Sequence, residues 1–248
     1  MRIVVTGNAG FIGSRLQKTL EDNGHTVIGW DLASGNNIKD FTLQGDEDFV
    51  VHLAAKANVR DSVNNPLPYF ETNVHYSKHI FNTCVAHNVP CLYASSSSVH
   101  SWHKSPYGRS KFNMEQLAKP GQVGLRFTTT YGEHPRKNML FDFIINRTVT
   151  YKTNHIRDFI YVGDVVQAIM IFINTGLQDK QKIYEVCSGN PVTVSDVIEY
   201  AGFNVPLREG DACEAVSNAN DNIELIKLGW TPQMSVWNFL DSIKKISS

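Results

Sequence analysis

The glycine-rich segment near the N-terminus is the feature that most constrains the fold of this chain. Thr6-Gly7-Asn8-Ala9-Gly10-Phe11-Ile12-Gly13 lies between an apolar run that predicts a strand and an amphipathic stretch that predicts a helix. Gly7 permits a tight turn, Gly10 lets the backbone approach a pyrophosphate, and Gly13 allows the helix to pack closely on the strand. The segment therefore predicts a dinucleotide-binding loop at a helix N-terminus. Its G-x-x-G-x-x-G spacing differs from the commonest fingerprint, and a purely structural glycine turn is the alternative.

Asp31 lies at a position at which dinucleotide-binding folds carry an acidic residue. Asp31 ends the second predicted strand, 18 residues after Gly13. A carboxylate at this point accepts hydrogen bonds from the adenosine ribose hydroxyls and repels a 2′-phosphate. The sequence therefore predicts NAD rather than NADP as the cofactor, although Arg15 is close enough in sequence to reach a phosphate.

The first half of the chain alternates short β-branched runs with amphipathic stretches, a pattern typical of a parallel sheet covered by helices. We expect the α/β class, with a Rossmann-type doubly wound parallel sheet. Residues 32–48 are too short for a crossover helix and are expected to form a compact loop. The predicted strands lie near 2–6, 26–31, 49–53, 90–95 and 122–127, and the predicted helices near 11–23, 66–87 and 107–119.

The second half is less regular, and we expect most of it to form a small second domain. Residues 1–133 are predicted to be the nucleotide-binding domain, with 159–187 returning to it. Residues 134–248 are predicted to be mostly a substrate-binding α/β lid over the carboxyl ends of the strands, where ligands of open α/β sheets bind. Its predicted elements are helices near 141–147, 162–175, 194–201, 221–228 and 235–245, and a strand near 182–186.

Composition and residue spacing argue against several classes of function. A formal charge of −1 with scattered basic residues gives no reason to expect nucleic acid or an anionic membrane as a partner. The N-terminus shows no signal-peptide pattern, and the four cysteines show no paired spacing, so we expect a cytoplasmic protein with reduced thiols. His75 and His79 are four residues apart, but the glutamate of H-E-x-x-H is missing, so no metal site is predicted.

Tyr107 and Lys111 form a candidate catalytic pair. At a spacing of four residues, both side chains lie on one helix face, and an ammonium beside a phenol lowers its pKa. Moving a phenol from its reference pKa to about 7 takes about 4 kcal/mol. Pro106 can start the helix that carries both residues. The pair predicts a general base for alcohol oxidation, and the alternative is a surface helix with a buried tyrosine and a solvated lysine.

The motifs, taken in sequence order, resemble those of the extended short-chain dehydrogenase/reductases that act on nucleotide sugars, within the NAD-dependent epimerase/dehydratase family. The resemblance extends over nearly the whole chain. Besides the glycine loop and the tyrosine–lysine pair, it rests on His52-Leu53-Ala54-Ala55, Ser95 to Ser98, Leu125 to Gly132, Arg157 to Val162, Arg208 to Asp211 and Leu228-Gly229-Trp230.

The resemblance implies roles in catalysis and cofactor binding. It makes Tyr107 the general base, makes Lys111 the residue that holds the nicotinamide ribose and lowers the tyrosine pKa, and lets Ser96 hydrogen-bond the reacting sugar oxygen. Many relatives carry Asp where this chain has Asn37. The cofactor-binding residues that it implies are Gly7, Gly10, Phe11, Ile12, Gly13, Asp31, Asn37, Ile38, Leu53, Ala54, Ala55, Tyr107 and Lys111.

Within this family, residues 57–60, 93–99 and 136–139 resemble the corresponding segments of UDP-glucuronate 4-epimerases. In that group, the serine run, a threonine and an arginine hold the sugar carboxylate. Across the family, two further arginines, which Arg157 and Arg208 match, grip the substrate diphosphate, for which planar donor forks are suited. Asp211 matches a ribose contact. The substrate-binding residues implied here are Arg60, Ser96, Ser97, Ser98, Thr129, Arg136, Arg157, Arg208 and Asp211.

A chemical reason supports such a carboxylate cage. Oxidation at C4 turns a uronic acid into a β-keto acid, which loses carbon dioxide easily unless its carboxylate is fixed in an unproductive orientation. A ring of hydroxyl donors can do this without adding another acid. The serine run has a simpler interpretation as well, in which its hydroxyls only bond to the local backbone.

The resemblance thus implies a 4-epimerase of UDP-glucuronate or UDP-galacturonate that uses bound NAD and forms a homodimer through the helices near 66–87 and 107–119. Three alternatives stay open. They are a 4-epimerase of a neutral or N-acetylated UDP-sugar, a uronate decarboxylase or nucleotide-sugar reductase on the same scaffold, and an NAD-binding sensor without turnover. Ser98 argues against the decarboxylase, because decarboxylating relatives usually carry Glu at that position.

Overall fold

In the computed structural model, which describes residues 1–177 and 182–246, the central element is a parallel sheet of six strands. The strand order is β2-β1-β3-β4-β5-β9. The order of the strands changes direction between β1 and β3. The carboxyl ends of these two strands therefore border the crevice in which ligands are expected to bind. The predicted doubly wound Rossmann-type sheet is confirmed. Its strands are β1 (Arg2–Thr6), β2 (Thr26–Trp30), β3 (Phe49–His52), β4 (Cys91–Ser96), β5 (Gln122–Phe127) and β9 (Ile183–Val186).

The middle of each strand is mostly apolar because both faces of the sheet are covered. In β1, Ile3 and Val5 point to one face, and Val4 points to the other, as the period of two requires. The first face packs against helices α1 (Phe11–Asp22) and α7 (Val162–Thr175). The second packs against α4 (Ser77–Ala86) and α5 (Pro106–Glu115).

The connection from β3 to β4 is more broken than predicted. The single helix expected over 66–87 is divided into α3 (Leu67–Phe70), a π-helical turn (Glu71–Tyr76) and α4. A further short helix, α2 (Val59–Asn64), precedes it and was not predicted. Asn58 caps α2, since its side chain accepts a hydrogen bond from the backbone N–H of Asp61 at 3.0 Å. Residues 32–48 form the expected loop, with 3₁₀ turns at Leu32–Ser34 and Ile38–Asp40.

The remaining elements form a second hydrophobic cluster around Tyr131, Phe141 and Phe239. Strand β6 (Thr129–Tyr131) pairs in parallel with β8 (Phe159–Tyr161), and β7 (Ile156–Arg157) pairs antiparallel with β10 (Val192–Thr193). None of these four short strands was predicted, because each is too short to show a period of two. The helices of this part are α6 (Leu140–Ile145), α8 (Val194–Tyr200), α9 (Ile223–Lys227) and α10 (Val236–Ile246).

The segment predicted to return to the first domain runs from 159 to 187. Helix α7 packs beside α1, and β9 pairs with β5 at the edge of the main sheet. Residues 178–181 of this segment lie outside the described residues. A boundary between two domains at residue 133 stays a prediction. Within residues 1–177 and 182–246, every helix is too short or too polar to cross a bilayer.

Candidate active site

The loop between β1 and α1 forms a cradle that side chains would fill. Gly7 has a φ of +72°, and a Cβ on it would lie 2.8 Å from the backbone nitrogen of Ala54. A Cβ on Gly13 would lie 2.0 Å from the carbonyl oxygen of Gly7. Gly10 stands at the N-cap of α1 without a side chain to cap it, so the N–H groups of the first turn can bind an anion.

Asp31 lies beside this cradle at the end of β2. Its carboxylate accepts hydrogen bonds from the backbone N–H groups of Ala9 at 3.1 Å and Ala33 at 2.9 Å. Arg15 is engaged elsewhere, because its guanidinium pairs with Glu133 at 3.2 Å and donates to the Tyr161 hydroxyl at 3.1 Å. A narrow cradle at a helix N-terminus beside a carboxylate fits the adenosine diphosphate part of NAD.

Two residues implied for adenine binding have other contacts. The Asn37 side chain accepts a hydrogen bond from the N–H of Lys39 at 3.0 Å and so caps its own turn. Ile38 is buried in the core beside Phe41, so only its backbone can face a ligand. Their contact with adenine stays a prediction.

A cavity of about 790 Å³ runs from the glycine cradle to the catalytic pair. Arg208 and Asp211 lie apart from it and line an adjacent cavity of about 480 Å³, and His155 and Glu214 line both. The first cavity brings together most of the implied residues, namely Gly7, Gly10, Phe11, Ile12, Gly13, Leu53, Ala55, Arg60, Ser96, Ser97, Ser98, Tyr107, Lys111, Thr129, Arg136 and Arg157.

Helix α5 presents the catalytic pair to this cavity. Ser105 caps the helix by accepting a hydrogen bond from the N–H of Gly108 at 3.0 Å, and Pro106 occupies its first position. The backbone N–H of Tyr107 donates to the Ser62 hydroxyl at 3.1 Å, so α2 holds the start of α5. Gly108 lets α5 approach the serine run, because a Cβ there would lie 3.0 Å from the carbonyl oxygen of Ser98.

The Tyr107 phenol is buried, and burial raises its pKa above the ordinary value. A hydrogen bond from Ser96 and the charge of Arg136 act in the opposite direction without cancelling this effect. The expected lowering of the tyrosine pKa by Lys111 is therefore not found. Burial has the largest effect on this pKa, and the lysine ammonium is directed to the carbonyl oxygen of Ala94, at 2.8 Å.

Lys111 is itself buried, with 3% of its surface exposed. Burial lowers its pKa from 10.5 to about 8, while the nearby Glu115 carboxylate acts to raise it. Most of the lysine is thus still charged at pH 7. A partly desolvated ammonium beside the tyrosine is suited to hold a hydroxyl-rich group such as a ribose.

The serine run ends β4 at the same side of the cavity. The Ser96 hydroxyl accepts a hydrogen bond from the N–H of Ser98 at 3.2 Å, so the local backbone contact of the simpler interpretation is present at this residue. Thr129 accepts a hydrogen bond from the side-chain amide of Asn218 at 3.0 Å. Arg136 donates to the carbonyl oxygen of Ala57 at 2.9 Å, and it contributes a positive charge at this end.

A buried ionic network lies behind the serine run, and the sequence motifs did not indicate it. Glu115 accepts a hydrogen bond from the Ser95 hydroxyl and two from the guanidinium of Arg126, at 2.9 and 2.8 Å. Arg126 also pairs with Glu185 at 2.9 Å, and Glu185 contacts His100 at 2.8 Å. The network ties α5, β5 and β9 to the end of β4, and so supports the position of the serines.

Buried amide and imidazole groups hold the loop that follows β3. Asn73 exchanges two hydrogen bonds of 2.9 Å with the backbone of Lys56 and donates a third to the Ser110 hydroxyl. His52 bonds to Thr6 at 2.7 Å and to Ser77 at 2.8 Å. Burial lowers the pKa of His52 to about 3, so its imidazole is neutral and serves as a structural hydrogen-bonding group.

Three arginines implied for substrate binding, of which Arg157 and Arg208 are those implied for the diphosphate, have partners within the protein. Arg60 pairs with Asp211 at 2.5 Å and with Glu214 at 2.9 Å, and Arg157 pairs with Glu214 at 2.8 Å. Arg208 lies over the ring of Tyr151, with 5.2 Å between its guanidinium carbon and the ring centroid. Sequence reasoning missed Glu214, since no motif marks a glutamate at that position.

Comparison with known proteins gives one family and consistent relatives. The model of the NAD dependent epimerase/dehydratase family matches residues 3–187. Protein CapI of Staphylococcus aureus is 31% identical over 88% of this chain and 83% of its own length. The protein described as uncharacterized UDP-glucose epimerase YtcB of Bacillus subtilis is 32% identical over 68% of this chain and 71% of its own.

Solved structures of other proteins share the fold of this chain. MoeE5 in complex with UDP-glucuronic acid and NAD superposes with a TM-score of 0.84 at 25% identity and full coverage of both chains. A mutant of UDP-glucuronic acid 4-epimerase from Bacillus cereus, in complex with a fluorinated UDP-glucuronic acid and NAD, gives a TM-score of 0.86. That second match has 23% identity over 99% of this chain and 100% of the other, and it shows a shared fold.

Proposed function

The chain belongs to the NAD dependent epimerase/dehydratase family, and we propose that it is a 4-epimerase that interconverts UDP-glucuronate and UDP-galacturonate. NAD is its cofactor. When bound, NAD would supply a reversible hydride acceptor for C4 of the sugar, and the keto sugar would turn before the hydride returns. The observation that carries the proposal is a single cavity that joins the glycine cradle to Tyr107, Ser96 and the cationic Arg136.

In this proposal, Tyr107 takes the proton of the C4 hydroxyl and later returns one. Ser96 lines the same cavity and acts to lower the tyrosine pKa, so it can orient the same sugar oxygen. Arg136 and Ser96 both favour the phenolate and oppose the effect of burial. Lys111 is the cation in this part of the cavity that can bond the nicotinamide ribose.

The positive charge of Arg136, at the end of the cavity proposed for the sugar, supports a uronate as substrate. Among the ion pairs of residues 1–177 and 182–246, none joins Arg136 to a carboxylate. Its charge is therefore available to a ligand, and Ser97, Ser98 and Thr129 line the same cavity with hydroxyl groups. A carboxylate bound by these groups would be held away from the orientation that leads to decarboxylation. MoeE5, which is similar in fold and sequence, was solved with UDP-glucuronic acid bound and also with UDP-glucose bound, so the choice of the uronate depends on the charge of Arg136.

The test is incubation of the purified protein with UDP-glucuronate, UDP-glucose or UDP-N-acetylglucosamine, with NAD present, followed by separation of the products. We expect UDP-galacturonate from the first substrate, with no net NADH and no pentose. Tyr107→Phe should reduce turnover at least about 100-fold. Arg136→Met should raise KM for the uronate far more than KM for a neutral sugar, while the loss of a charge that favours the phenolate should lower kcat on all substrates alike. A nucleotide-linked pentose would identify a decarboxylase, and equal or faster conversion of a neutral sugar would refute the uronate assignment.

We also propose that the protein forms a homodimer through α3, α4 and α5. Leu67 on α3 and Val85 on α4 expose 65% and 53% of their surfaces, and burying such side chains in a partner is favourable. Light scattering after gel filtration should give twice the monomer mass. A monomer at micromolar concentration would contradict this.

A further inference from the structure

A cluster of ions lies at the junction of the two cavities, and Glu214 is at its centre. One oxygen of the Glu214 carboxylate lies 2.9 Å from Nε of Arg60, and the other lies 2.8 Å from Nη2 of Arg157. Asp211 is 2.5 Å from the same Arg60 nitrogen. Two guanidinium groups thus face two carboxylates, and their formal charges cancel.

The pair formed by Glu214 and Arg157 is the better shielded part of this cluster. Side-chain exposure is 19% for Glu214 and 11% for Arg157, but about half for Arg60 and Asp211. Screening by water is weaker for the shielded pair, so its attraction is stronger than that of an exposed ion pair. His155 is 3.8 Å from Glu214, and burial together with the charge of Arg157 lowers the pKa of its imidazole. The imidazole is therefore neutral at pH 7 and adds no positive charge.

Three N–H donors of Arg157 are already in use. Nη1 donates to the backbone carbonyl oxygens of Ile156 and Ala215, both at 2.9 Å, and Nη2 donates to Glu214. The carbonyl contacts hold the guanidinium in place, and the Glu214 side chain lines the cavity. An anionic ligand that binds both Arg60 and Arg157 would lie beside this carboxylate and be repelled by it, so it competes with Glu214 for the arginines.

We propose that Glu214 is an internal anion that occupies the arginine pair in the ligand-free protein and competes with the diphosphate of the substrate. This inference rests on the proposed function and on the roles that the family resemblance implies, in which Arg157 contacts the substrate diphosphate and Arg60 contacts the substrate. Glu214 keeps the arginine pair electrically neutral between turnovers and weakens the hold of the site on diphosphate-containing ligands. Release of a product that still carries its diphosphate becomes faster as a result.

A purely structural role for Glu214 predicts different behaviour. Arg157 also ties down the segment after Glu214 through Ala215, so the ion pair could serve only to anchor that segment. Glu214→Gln distinguishes the two roles, because the amide keeps the size and one acceptor oxygen but loses the negative charge and the second acceptor. A structural role predicts lower thermal stability with unchanged ligand affinity, whereas competition predicts tighter binding of phosphate-containing ligands.

The test measures binding to the NAD-loaded protein by calorimetry, with inorganic pyrophosphate, UDP and uridine as probes. We expect Glu214→Gln to bind pyrophosphate and UDP about tenfold more tightly than wild type, and uridine equally well. Glu209→Gln is the matched control, since Glu209 is an exposed acid that lines the adjacent cavity. This variant should bind pyrophosphate and UDP with the same affinity as wild type. Unchanged or weaker pyrophosphate binding by Glu214→Gln would overturn the inference.

Two further results separate this inference from the proposed function. If UDP fails to bind but pyrophosphate binds more tightly to Glu214→Gln, the nucleotide assignment fails and the role of Glu214 stands. If UDP-glucuronate is epimerised but wild type and Glu214→Gln bind pyrophosphate equally, the proposed function stands and the role of Glu214 fails. Should the variant fold poorly, a crystal structure of the wild-type protein with pyrophosphate decides, since the Glu214 carboxylate must then lie away from Arg157. Pyrophosphate bound beside an intact ion pair would refute competition.

Discussion

Replacing Lys111 by Met is expected to stabilise the protein without cofactor near pH 7 while abolishing its activity. The lysine is 3% exposed, and burial lowers its pKa from 10.5 to about 8. That difference corresponds to about 3 kcal/mol by which the folded state disfavours the charged lysine. Methionine has a similar length and no charge. It leaves the carbonyl oxygen of Ala94 without its donor, which costs about 1 kcal/mol, so the expected net gain is about 2 kcal/mol.

The dependence on pH has a definite sign. Below pH 8, Lys111 carries its proton in both the folded and the unfolded chain, and the whole penalty is present. Between pH 8 and 10.5, the unfolded chain holds a proton that the folded chain has released, so wild-type stability rises with pH. The advantage of Lys111→Met should therefore shrink steadily over this range.

The assay is urea unfolding of the nucleotide-stripped proteins at several pH values from 6.5 to about 9.5, a range chosen around the lysine pKa. Lys78→Met is the control, because Lys78 is exposed on α4 and its loss should change stability by less than about 0.5 kcal/mol. A Lys111→Met protein that is less stable than wild type at pH 7, or a stability gap that does not vary with pH, would refute the reasoning.

Three further predictions concern the cradle, the acid at β2 and the buried network. Gly13→Ala should destabilise the protein by about 2 kcal/mol and weaken NAD binding strongly, because the new Cβ would lie 2.0 Å from the carbonyl oxygen of Gly7; thermal unfolding and NAD titration check both. Asp31→Asn should narrow the preference for NAD over NADP by about tenfold in fluorescence titrations, since the repelling charge is lost, and an unchanged ratio would exclude Asp31 from the ribose site. Arg126→Met should cost about 3 to 5 kcal/mol in urea unfolding because it leaves the Glu115 carboxylate, 1% exposed, without its partner, and adding Glu115→Met should recover much of that loss.

Local sequence patterns were sufficient to predict those elements whose structure is specified by one short segment of the chain. The glycine loop, the strands of the main sheet and the start of α5 at Pro106 lie where the sequence placed them, within one or two residues. Each depends on backbone freedom or apolar periodicity that neighbouring residues alone specify. The division of 66–87 by a π-helical turn was missed, because extra residues in a helix leave its apolar pattern almost unchanged.

Long-range charge was the main source of error. The pairing of Arg60 and Arg157 with Glu214 joins residues 154 and 57 positions apart, and no local pattern can indicate it. The pKa of Tyr107 differs from the expectation for another reason: the helical spacing to Lys111 is visible in sequence, but the burial of both side chains is not.

The order of residues by itself determined the family, the parallel sheet and the chemical types available at each strand end, because these follow from motifs and periodicities written along the chain. Only the tertiary structure decided which charges meet: Lys111 with the Ala94 carbonyl, Glu115 with Arg126, and Glu214 between two arginines. Electrostatic interaction depends on distance and on exclusion of water, and both arise only when distant segments pack together.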